Sequence, residues 1–420
     1  MNLIESILAR ASGRGSVVPG DIVIAEVDRM IMHDLSGYMT SRVYEEKVGK
    51  PLKHPERVIM VFDHIFSPPR EREAEVLKSD AEWAKKYGIH LLNCGNGNIH
   101  NAVARGGFIG PGMVVVGSDS HTPVHGALGA FAVAVGNDCH AGMVFPYGKA
   151  WFRVPATVRI ELAGELRPGV TPRDVALWLV AKIGEDGAIY KALEFGGPFI
   201  EQLDLFDRWL FPLITVDVGA KCGYIEPDEK VFEFARAAGV MQAWQGLDIT
   251  PQRQRRPESV QAFDVSGIEP QVACPPTVGN VKAVGVVAGQ PIQWAELGGH
   301  GGGRIEDIRM AARVLKGRTV HPNVRLNVVP SSRIAFEQAL DEGLVRQLHD
   351  AGALWFPPST GSNQSVNMGA MAAGESMIST HSRNYPGRNG SASASMYLGS
   401  ALTVAASALR GHIADVRDVP

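Results

Sequence analysis

The sequence contains few cysteines. Four occur among 420 residues, at positions 94, 139, 222 and 274, and no two of them are spaced as a C-x-x-C pair. A disulfide-stabilised scaffold needs a far higher cysteine density. We therefore expect reduced, mostly buried thiols in a cytoplasmic protein.

Long apolar runs and an excess of one charge are also missing. No stretch approaches the roughly 18 apolar residues of a membrane span, and Met1–Arg14 lacks the basic segment and uninterrupted apolar stretch of a signal peptide. The formal net charge is −3, which gives no reason to expect a nucleic acid or an anionic membrane as a partner. The sequence predicts neither.

The composition is that of a globular protein with more than one domain. Apolar residues make up 45% and charged residues 20% of the chain, and 420 residues suggest two or three domains, each with its own core. Strand-like apolar runs alternate with amphipathic helical segments, which favours α/β layers with parallel or mixed sheets. The predicted strands are Ile22–Val27, Val58–Phe62, Met113–Val116, Val158–Leu162, Val281–Val287, Val324–Val329 and Met377–Ser379. The predicted helices include Glu71–Tyr87, Val175–Ile183, Ile305–Leu315 and Ile334–Leu348. The segment Thr171-Pro172-Arg173-Asp174 predicts an N-cap with proline at the first helical position, leading into Val175–Ile183.

A polar segment rich in Gln, Arg and Pro separates two of these regions. It spans Asp248–Ala262 and includes Arg253-Gln254-Arg255-Arg256. A solvated linker is the preferred interpretation, and a basic binding patch is the alternative.

One segment brings three hydrogen-bonding side chains to the end of a predicted strand. Gly117-Ser118-Asp119-Ser120-His121-Thr122 follows the apolar run Val114–Val116. In α/β proteins, ligands bind at the carboxyl ends of the strands. A capped turn whose histidine forms ordinary hydrogen bonds would give the same pattern. This segment therefore indicates a functional site only in combination with other motifs.

Further motifs accompany it in a fixed order. They are Met32-His33-Asp34, Val61-Phe62-Asp63-His64, Gly95-Asn96-Gly97-Asn98-Ile99-His100, Glu226-Pro227-Asp228-Glu229, Glu269-Pro270-Gln271-Val272-Ala273-Cys274-Pro275 and Arg383-Asn384-Tyr385-Pro386-Gly387-Arg388. Their order and spacing resemble those of the aconitase superfamily, with the greatest similarity to the large subunits of 3-isopropylmalate dehydratase, from about Ile7 to Ile413.

This resemblance implies a fold and a chemistry. The fold would consist of aconitase-like three-layer α/β/α domains around a central cleft, without the swivelling domain that the dehydratases carry on a separate small subunit. The family dehydrates a 2-hydroxy acid and rehydrates the alkene, which requires an acid, a base, cationic groups for carboxylates and a Lewis acid. In the family, the Lewis acid is the open iron of an iron-sulfur cluster held by three cysteines.

The acid–base and carboxylate-binding positions of the family are retained. The resemblance implies catalytic roles for Asp63, His64, His100, Asp119, Ser120 and His121. It implies substrate contacts for His33, Asp34, Arg383 and Arg388, and also for Ser382, which stands where the family has an asparagine. Arg383 and Arg388 suit carboxylates because a guanidinium group binds them through two parallel hydrogen bonds.

The cluster positions, in contrast, have changed. The family's three cysteines correspond to His300, Thr360 and Asn363. Other positions near the iron have changed as well, to Leu213, Asp217, Ser382, Gly301 and Gly302. We therefore expect a carboxylate pocket without a 4Fe–4S cluster.

His300 has three interpretations. It could ligate a mononuclear metal together with His100, His64 or a carboxylate. It could be an ordinary hydrogen-bonding residue of a glycine loop. As a third hypothesis, a protonated His300 would replace part of the positive charge of the iron.

The resemblance also predicts domain limits and partners. Residues 1–285 would form an N-terminal α/β region of two subdomains, and residues 286–420 a C-terminal α/β domain that carries the degenerate cluster loops. A small carboxylate substrate and a separate small subunit are the expected partners.

Three functions are compatible with the sequence. The first is a lyase or isomerase that acts on a small di- or tricarboxylate by acid–base chemistry without the cluster. The second is a catalytically silent homologue that binds a carboxylate or stabilises a small subunit. The third is a conventional hydro-lyase with substitute cluster ligands, although Thr360 and Asn363 are poor ligands for a soft metal.

Overall fold

The computed structural model describes residues 1–250, 254–362, 364, 367 and 369–419. Within these residues, the strands form four sheets. The predicted α/β class is confirmed, because helices and mostly parallel strands alternate along the chain.

The first sheet is parallel and has five strands in the order β4-β3-β2-β5-β6. Its strands are β2 (Arg29–His33), β3 (Val58–Val61), β4 (His90–Leu92), β5 (Val114–Gly117) and β6 (Phe131–Ala134). Side chains of β2 alternate between two cores, with Ile31 on one face and Met30 and Met32 on the other. Burial on both faces explains the continuous apolar runs of these strands.

The other large sheet has seven strands in the order β13-β12-β18-β17-β14-β15-β16. Its strands are β12 (Gln271–Ala273), β13 (Val281–Ala283), β14 (Trp294–Leu297), β15 (Arg325–Val328), β16 (Leu354–Trp355), β17 (Ser376–Ser379) and β18 (Ser395–Leu398). The strands from β18 to β16 are parallel, whereas β12 and β13 are antiparallel. β12 and β13 lie before residue 286, so this sheet uses strands from both sides of the predicted domain limit.

Two smaller sheets complete the fold. A four-stranded parallel sheet has the order β10-β9-β8-β11, and an antiparallel ribbon pairs β1 with β7. The ranges are β1 (Ile22–Glu26), β7 (Lys149–Arg153), β8 (Thr157–Ala163), β9 (Ala192–Gly196), β10 (Cys222–Ile225) and β11 (Ser259–Asp264).

Helices flank these sheets. They are α1 (Leu3–Ser12), α2 (Asp34–Lys47), α3 (Glu71–Tyr87), α4 (Ile99–Arg105), α5 (Asn137–Cys139), α6 (Phe145–Tyr147), α7 (Pro172–Ile183), α8 (Pro198–Gln202), α9 (Leu210–Leu213), α10 (Glu229–Ala237), α11 (Val284–Val287), α12 (Ile305–Leu315), α13 (Arg333–Asp341), α14 (Leu344–Asp350) and α15 (Ala401–Arg410). α7 begins as the sequence predicts, with Thr171 and Asp174 forming a capping box and Pro172 in the first turn.

Three sequence predictions need correction. The predicted strand 281–287 ends at Ala283, and Val284–Val287 form a short helix. The predicted helix 334–348 is two helices, because Gly343 adopts a left-handed φ of 71° between them. The predicted linker 248–262 ends in β11, an exposed edge strand whose side chains lack the alternating burial of a typical strand; Pro251–Arg253 lie outside the described residues.

One apolar core joins the five-stranded sheet to the seven-stranded sheet. Ile31 and Val115 of the five-stranded sheet belong to the same buried cluster as Trp294 and Met377 of the seven-stranded sheet. The two sheets are therefore parts of one packed body, and loops at their carboxyl ends can meet. Among the described residues, no helix has the length and apolar content to cross a bilayer.

Candidate functional site

The acid–base residues lie at the carboxyl ends of the five-stranded parallel sheet. His33 ends β2, Asp63 and His64 follow β3, and Asp119 follows β5. His100 is in the first turn of α4, after β4. The strand order changes direction between β2 and β5, and such a switch point opens a crevice where α/β proteins bind ligands.

Loops from the seven-stranded sheet face these residues. His300 follows β14, and Thr360 follows β16. The Asn98 side chain donates a hydrogen bond to the Gly299 carbonyl at 3.1 Å, and the Thr360 hydroxyl donates to the Asp63 carbonyl at 2.9 Å. The structure thus brings the predicted acid–base residues and two of the predicted cluster positions together. Asn363 lies outside the described residues.

Asp34 holds one side of the site in place. Its fully buried carboxylate accepts hydrogen bonds from the backbone N–H groups of Asp63, His64 and Ile65 at 3.1, 3.0 and 2.8 Å. Burial favours a raised pKa for Asp34, but contacts with His33 and His64 outweigh it and lower the pKa. Its charge therefore fixes the turn that carries His64.

Histidine rings surround His300. Ring centroids of His64, His100 and His121 lie 5.6, 5.0 and 5.1 Å from that of His300. His33 stacks on His64 at 4.0 Å. All five histidines are buried.

Carboxylates orient two of these rings. The Nδ1 of His64 lies 2.8 Å from Asp63, and the Nε2 of His100 lies 3.0 Å from Asp119. Asp119 also accepts the backbone N–H of His121 at 2.7 Å. Ser120 lies nearby, with its hydroxyl 3.5 Å from the ring of His121.

The imidazoles differ in protonation. Burial lowers the pKa of His64, but the adjacent Asp63 more than compensates and raises it to about 9. Burial lowers the pKa of His121 to about 4 and that of His300 well below its usual value. Burial of the His300 ring among other imidazoles therefore argues against the hypothesis that His300 is protonated.

The predicted carboxylate-binding arginines lie on the loop after β17. Arg383 pairs with Asp217 at 3.4 Å and is one of the residues lining a cleft of about 200 Å³. Arg388 is largely buried and donates to the Tyr385 hydroxyl at 2.7 Å. Burial raises the pKa of Asp217 to about 6, although Arg383 opposes this. Ser382 borders a separate small cavity beside Asp217.

The residues at the cluster positions do not fit a 4Fe–4S cluster. His300 offers an imidazole, and the Thr360 hydroxyl is bonded to a backbone carbonyl. None of the four cysteines belongs to either group of converging metal-ligand side chains in the described part of the chain. These groups are His33–Asp34–Asp63–His64 and His64–Asp119–His300, and the ligand atoms within each lie within 4.8 Å of one another.

The glycine loop after His300 is closely packed. A Cβ atom at Gly301 would overlap the guanidinium of Arg173, and one at Gly302 would overlap the side chain of Thr380. Arg173 is buried and donates to the carbonyls of Gly301 and Gly399 at 3.2 and 2.9 Å. The loop is thus held by residues of α7 and of the strand end after β17.

Sequence reasoning missed several of these residues. Arg173 was considered only as part of a helix start. Glu296 and His381 form a buried pair at 2.7 Å beneath the glycine loop. The ring centroid of His125 lies 5.3 Å from that of His100. His125 follows His121 by four residues, just after the Gly117–Thr122 segment, and this proximity could have identified it as a site residue.

The family comparison agrees with this geometry. The model of the aconitase family (aconitate hydratase) matches residues 7–296 and 282–411. The chain belongs to the aconitase family. The predicted membership, and with it the predicted relation to lyase and isomerase enzymes, is confirmed.

Individual relatives cover nearly the whole chain. It is 40% identical over 417 residues to the 3-isopropylmalate dehydratase large subunit 1 of Methanopyrus kandleri, covering 99% of this chain and 98% of that protein. It is 39% identical over 418 residues to a probable methanogen homoaconitase large subunit of Methanothermobacter thermautotrophicus, covering 98% and 97%.

A solved structure supports the fold. Aconitase X of Thermococcus kodakaraensis matches with a TM-score of 0.50 and 11% identity, covering 85% of this chain and 83% of that chain. At this identity the likeness concerns the fold alone, and it confirms the predicted aconitase-like α/β architecture.

Proposed function

We propose that this chain is the large subunit of a lyase or isomerase that acts on a small di- or tricarboxylate by acid–base chemistry without a 4Fe–4S cluster. The observation that carries the proposal is the convergence of two carboxylate–histidine pairs, Asp63–His64 and Asp119–His100, on His300. The proposed acid–base groups converge there, whereas no cysteine belongs to either group of metal-ligand side chains among the described residues.

His100 is the proposed base. Its Nε2–H donates to Asp119, which fixes the tautomer whose Nδ1 carries the lone pair. That Nδ1 is buried, and no described residue forms a hydrogen bond with it. It can therefore accept the proton beside a substrate carboxylate.

Arg383 and Arg388 are the proposed carboxylate-binding residues. Arg383 is partly exposed in the cleft. The distance from its Nε to the Asp217 carboxylate is 3.4 Å, near the upper limit for a hydrogen bond. A substrate carboxylate offers the guanidinium two parallel hydrogen bonds, which are stronger than that contact.

The absence of suitable cluster ligands bears on the reaction class. Lewis-acid stabilisation is worth several kcal/mol, and each 1.36 kcal/mol is about tenfold in rate. Expulsion of plain hydroxide therefore becomes harder than in the family. A better leaving group, or a reaction limited to proton abstraction such as epimerisation, double-bond migration or elimination, suits these residues.

A separate small subunit is part of the proposal. Relatives that match 98–99% of this chain are named large subunits. A partner of that kind would complete the site from the cleft side and supply further carboxylate contacts.

A conventional hydro-lyase is the second candidate. It is favoured by the names of relatives that are 36–40% identical over nearly the full chain. Iron, zinc and sulfide should be measured on protein purified without oxygen, together with a visible spectrum. Sulfide and iron in cluster proportions would overturn the cluster-free proposal and leave the hydro-lyase.

Replacement of His100 tests the acid–base proposal. Solvent-deuterium exchange into a panel of small 2-hydroxy dicarboxylates, followed by NMR, reports proton abstraction whichever reaction follows. His100→Asn should lower exchange by roughly 10²–10⁴-fold, the usual contribution of a general base, while dicarboxylate affinity measured by calorimetry stays unchanged. His349→Asn, at an exposed position of α14, is the matched control.

The same experiment shows whether the chain is a homologue that binds carboxylates without catalytic activity. If the wild-type chain, supplied with a family small subunit, binds dicarboxylates but exchanges no protons, the chain is a binding protein and the enzymatic proposal fails.

A further inference from the structure

We propose that His64, Asp119 and His300 bind one divalent transition-metal ion in place of the missing cluster. The three side chains come from the loops after β3, β5 and β14, and their donor atoms lie within 4.8 Å of one another. The site itself rests on this geometry, and only its catalytic role rests on the proposed function.

The donor set selects the class of metal. Two imidazoles and one carboxylate suit Zn²⁺, Fe²⁺ or Co²⁺, whereas Mg²⁺ and Ca²⁺ prefer oxygen ligands. Metal–ligand distances for zinc are about 2.0–2.2 Å for nitrogen and oxygen donors, so small rotations of these side chains bring them to a common ion. Three protein ligands leave coordination positions for a substrate oxygen.

Unpartnered nitrogens around His300 give a second, independent observation. The Nε2 atoms of His121 and His300 and the Nδ1 atoms of His33 and His100 are buried and have no hydrogen-bond partner among the described residues. A buried unsatisfied polar group costs about 1–3 kcal/mol, and four such atoms lie within one small cluster of rings. This concentration of unsatisfied nitrogen atoms indicates a site built to receive a cation.

Supporting contacts around the three side chains match those of metal centres. Ligating histidines in proteins usually donate their second N–H to a carboxylate. Asp63 holds the Nδ1 of His64 at 2.8 Å, and Asp119 is oriented by His100 and by the backbone N–H of His121. The ligand rings are therefore preorganised, which lowers the entropy cost of binding an ion.

Such an ion would restore part of the chemistry that the family's cluster provides. As a Lewis acid, it would polarise a substrate oxygen, while His100 keeps its unpartnered Nδ1 for proton transfer.

The second group of convergent side chains is the competing location. His33, Asp34, Asp63 and His64 also meet the distance criterion. However, Asp34 is already engaged by three backbone N–H groups, and the Asp63 carboxylate accepts from both His64 and the Ile99 backbone N–H, the latter at 2.6 Å. A carboxylate offers about four lone pairs. Asp34, which also accepts the backbone N–H of Leu35 at 2.7 Å, therefore has none left for an ion, whereas Asp119 accepts from His100 and from the backbone N–H of His121 and keeps two.

The test is metal titration of the full chain. The protein is stripped with a chelator and titrated with Zn²⁺ by calorimetry and with Co²⁺ by visible spectroscopy. We expect one tight ion per chain, and a loss of at least tenfold in affinity for His300→Asn and for Asp119→Asn. The exposed His349→Asn should leave the affinity within about twofold, and His33→Asn should reduce it less than His300→Asn does.

A further variant separates ligand loss from misfolding. His300→Cys keeps a soft ligand, so we expect tight Co²⁺ binding with a new thiolate-to-cobalt charge-transfer band in the near ultraviolet. Absence of that band in a folded variant would contradict ligation by residue 300, and so would unchanged affinity in His300→Asn.

The remaining outcomes are equally decisive. Loss of the ion in His33→Asn with retention in His300→Asn would move the metal to the competing group and overturn this proposal. Absence of stoichiometric binding would overturn it too, without affecting the acid–base proposal, which is tested by the His100 variant. A tight ion in a chain that shows no proton exchange would support the metal site and overturn the enzymatic role.

Discussion

At the scale of single residues, the site consists of buried ionisable side chains that are carried by separate loops. Burial raises the pKa of isolated carboxylates, yet that of Asp119 lies well below its usual range because imidazoles surround it. Asp80 on α3 shows the opposite case. Its carboxylate is buried, has no hydrogen-bond partner for either oxygen, and lies near the charge of Asp34.

The raised pKa of Asp80 predicts that the stability of the protein depends on pH. Burial, with Asp34, raises its pKa to about 8, whereas an unfolded aspartate has a pKa of about 3.9. Between these values the unfolded chain has released a proton that the folded chain still holds, so stability falls as pH rises from about 4 to about 8. Each pH unit in this window costs about 1.36 kcal/mol.

Asp80→Asn should remove this dependence. Urea unfolding at pH 5 and pH 8.5 should show a wild-type free energy of unfolding that drops by several kcal/mol more than that of the variant. The exposed Asp186→Asn serves as the control and should follow the wild type. Parallel pH profiles for wild type and Asp80→Asn would contradict the prediction.

At the scale of elements, the sequence predicted the strands around the site well and the loops less well. β3 and β5 were predicted because burial on both faces makes them continuous apolar runs. The polar residues that follow these runs were predicted as site residues. β11 was missed because an exposed edge strand has no such pattern. The pairing of His300 with His121, 179 residues apart, and the packing of Arg173 under the glycine loop are long-range contacts that no local pattern encodes.

The glycine loop after β14 gives a prediction at this scale. Gly302→Ala would place a Cβ atom against the side chain of Thr380, and overpacking of a rigid site costs about 1–3 kcal/mol. The free energy of unfolding in urea should fall by this amount. Gly267→Ala, at a position with no atom within 4 Å of the new Cβ, should have little effect.

A double mutant identifies the cause. Thr380→Gly removes the overlapping side chain, so Gly302→Ala should cost less in that background than in the wild type. Strictly additive effects of the two substitutions would show that another contact limits the space.

At the scale of the whole molecule, the site lies between two sheets that share one core. His64 and Asp119 come from the five-stranded sheet, and His300 and Arg383 from the seven-stranded sheet. A ligand that contacts both therefore links the two halves and should stabilise the chain as a unit.

A tricarboxylate should raise the melting temperature of the protein in one transition. At a ligand concentration about 100 times its Kd, the stabilisation is about 2.7 kcal/mol. We expect calorimetry to show this shift with propane-1,2,3-tricarboxylate, little shift with butyrate, and a much smaller shift in Arg383→Lys. The control is Arg346→Lys, a change of an exposed arginine on α14; an equal shift in both variants would exclude Arg383 as a carboxylate ligand.

The crowded glycine loop also bears on the descent of this chain. The resemblance implies that the family has a threonine and an asparagine at the positions of Gly301 and Gly302, where Arg173 and Thr380 now leave no room for a side chain. A return of cysteine at position 300 alone would not rebuild the ancestral loop, because its flanking side chains would have to return together with changes in α7 and after β17. A side chain at position 301 or 302 would lower stability in the present packing, so these two glycines and the residues that face them, Arg173 and Thr380, would have to change together.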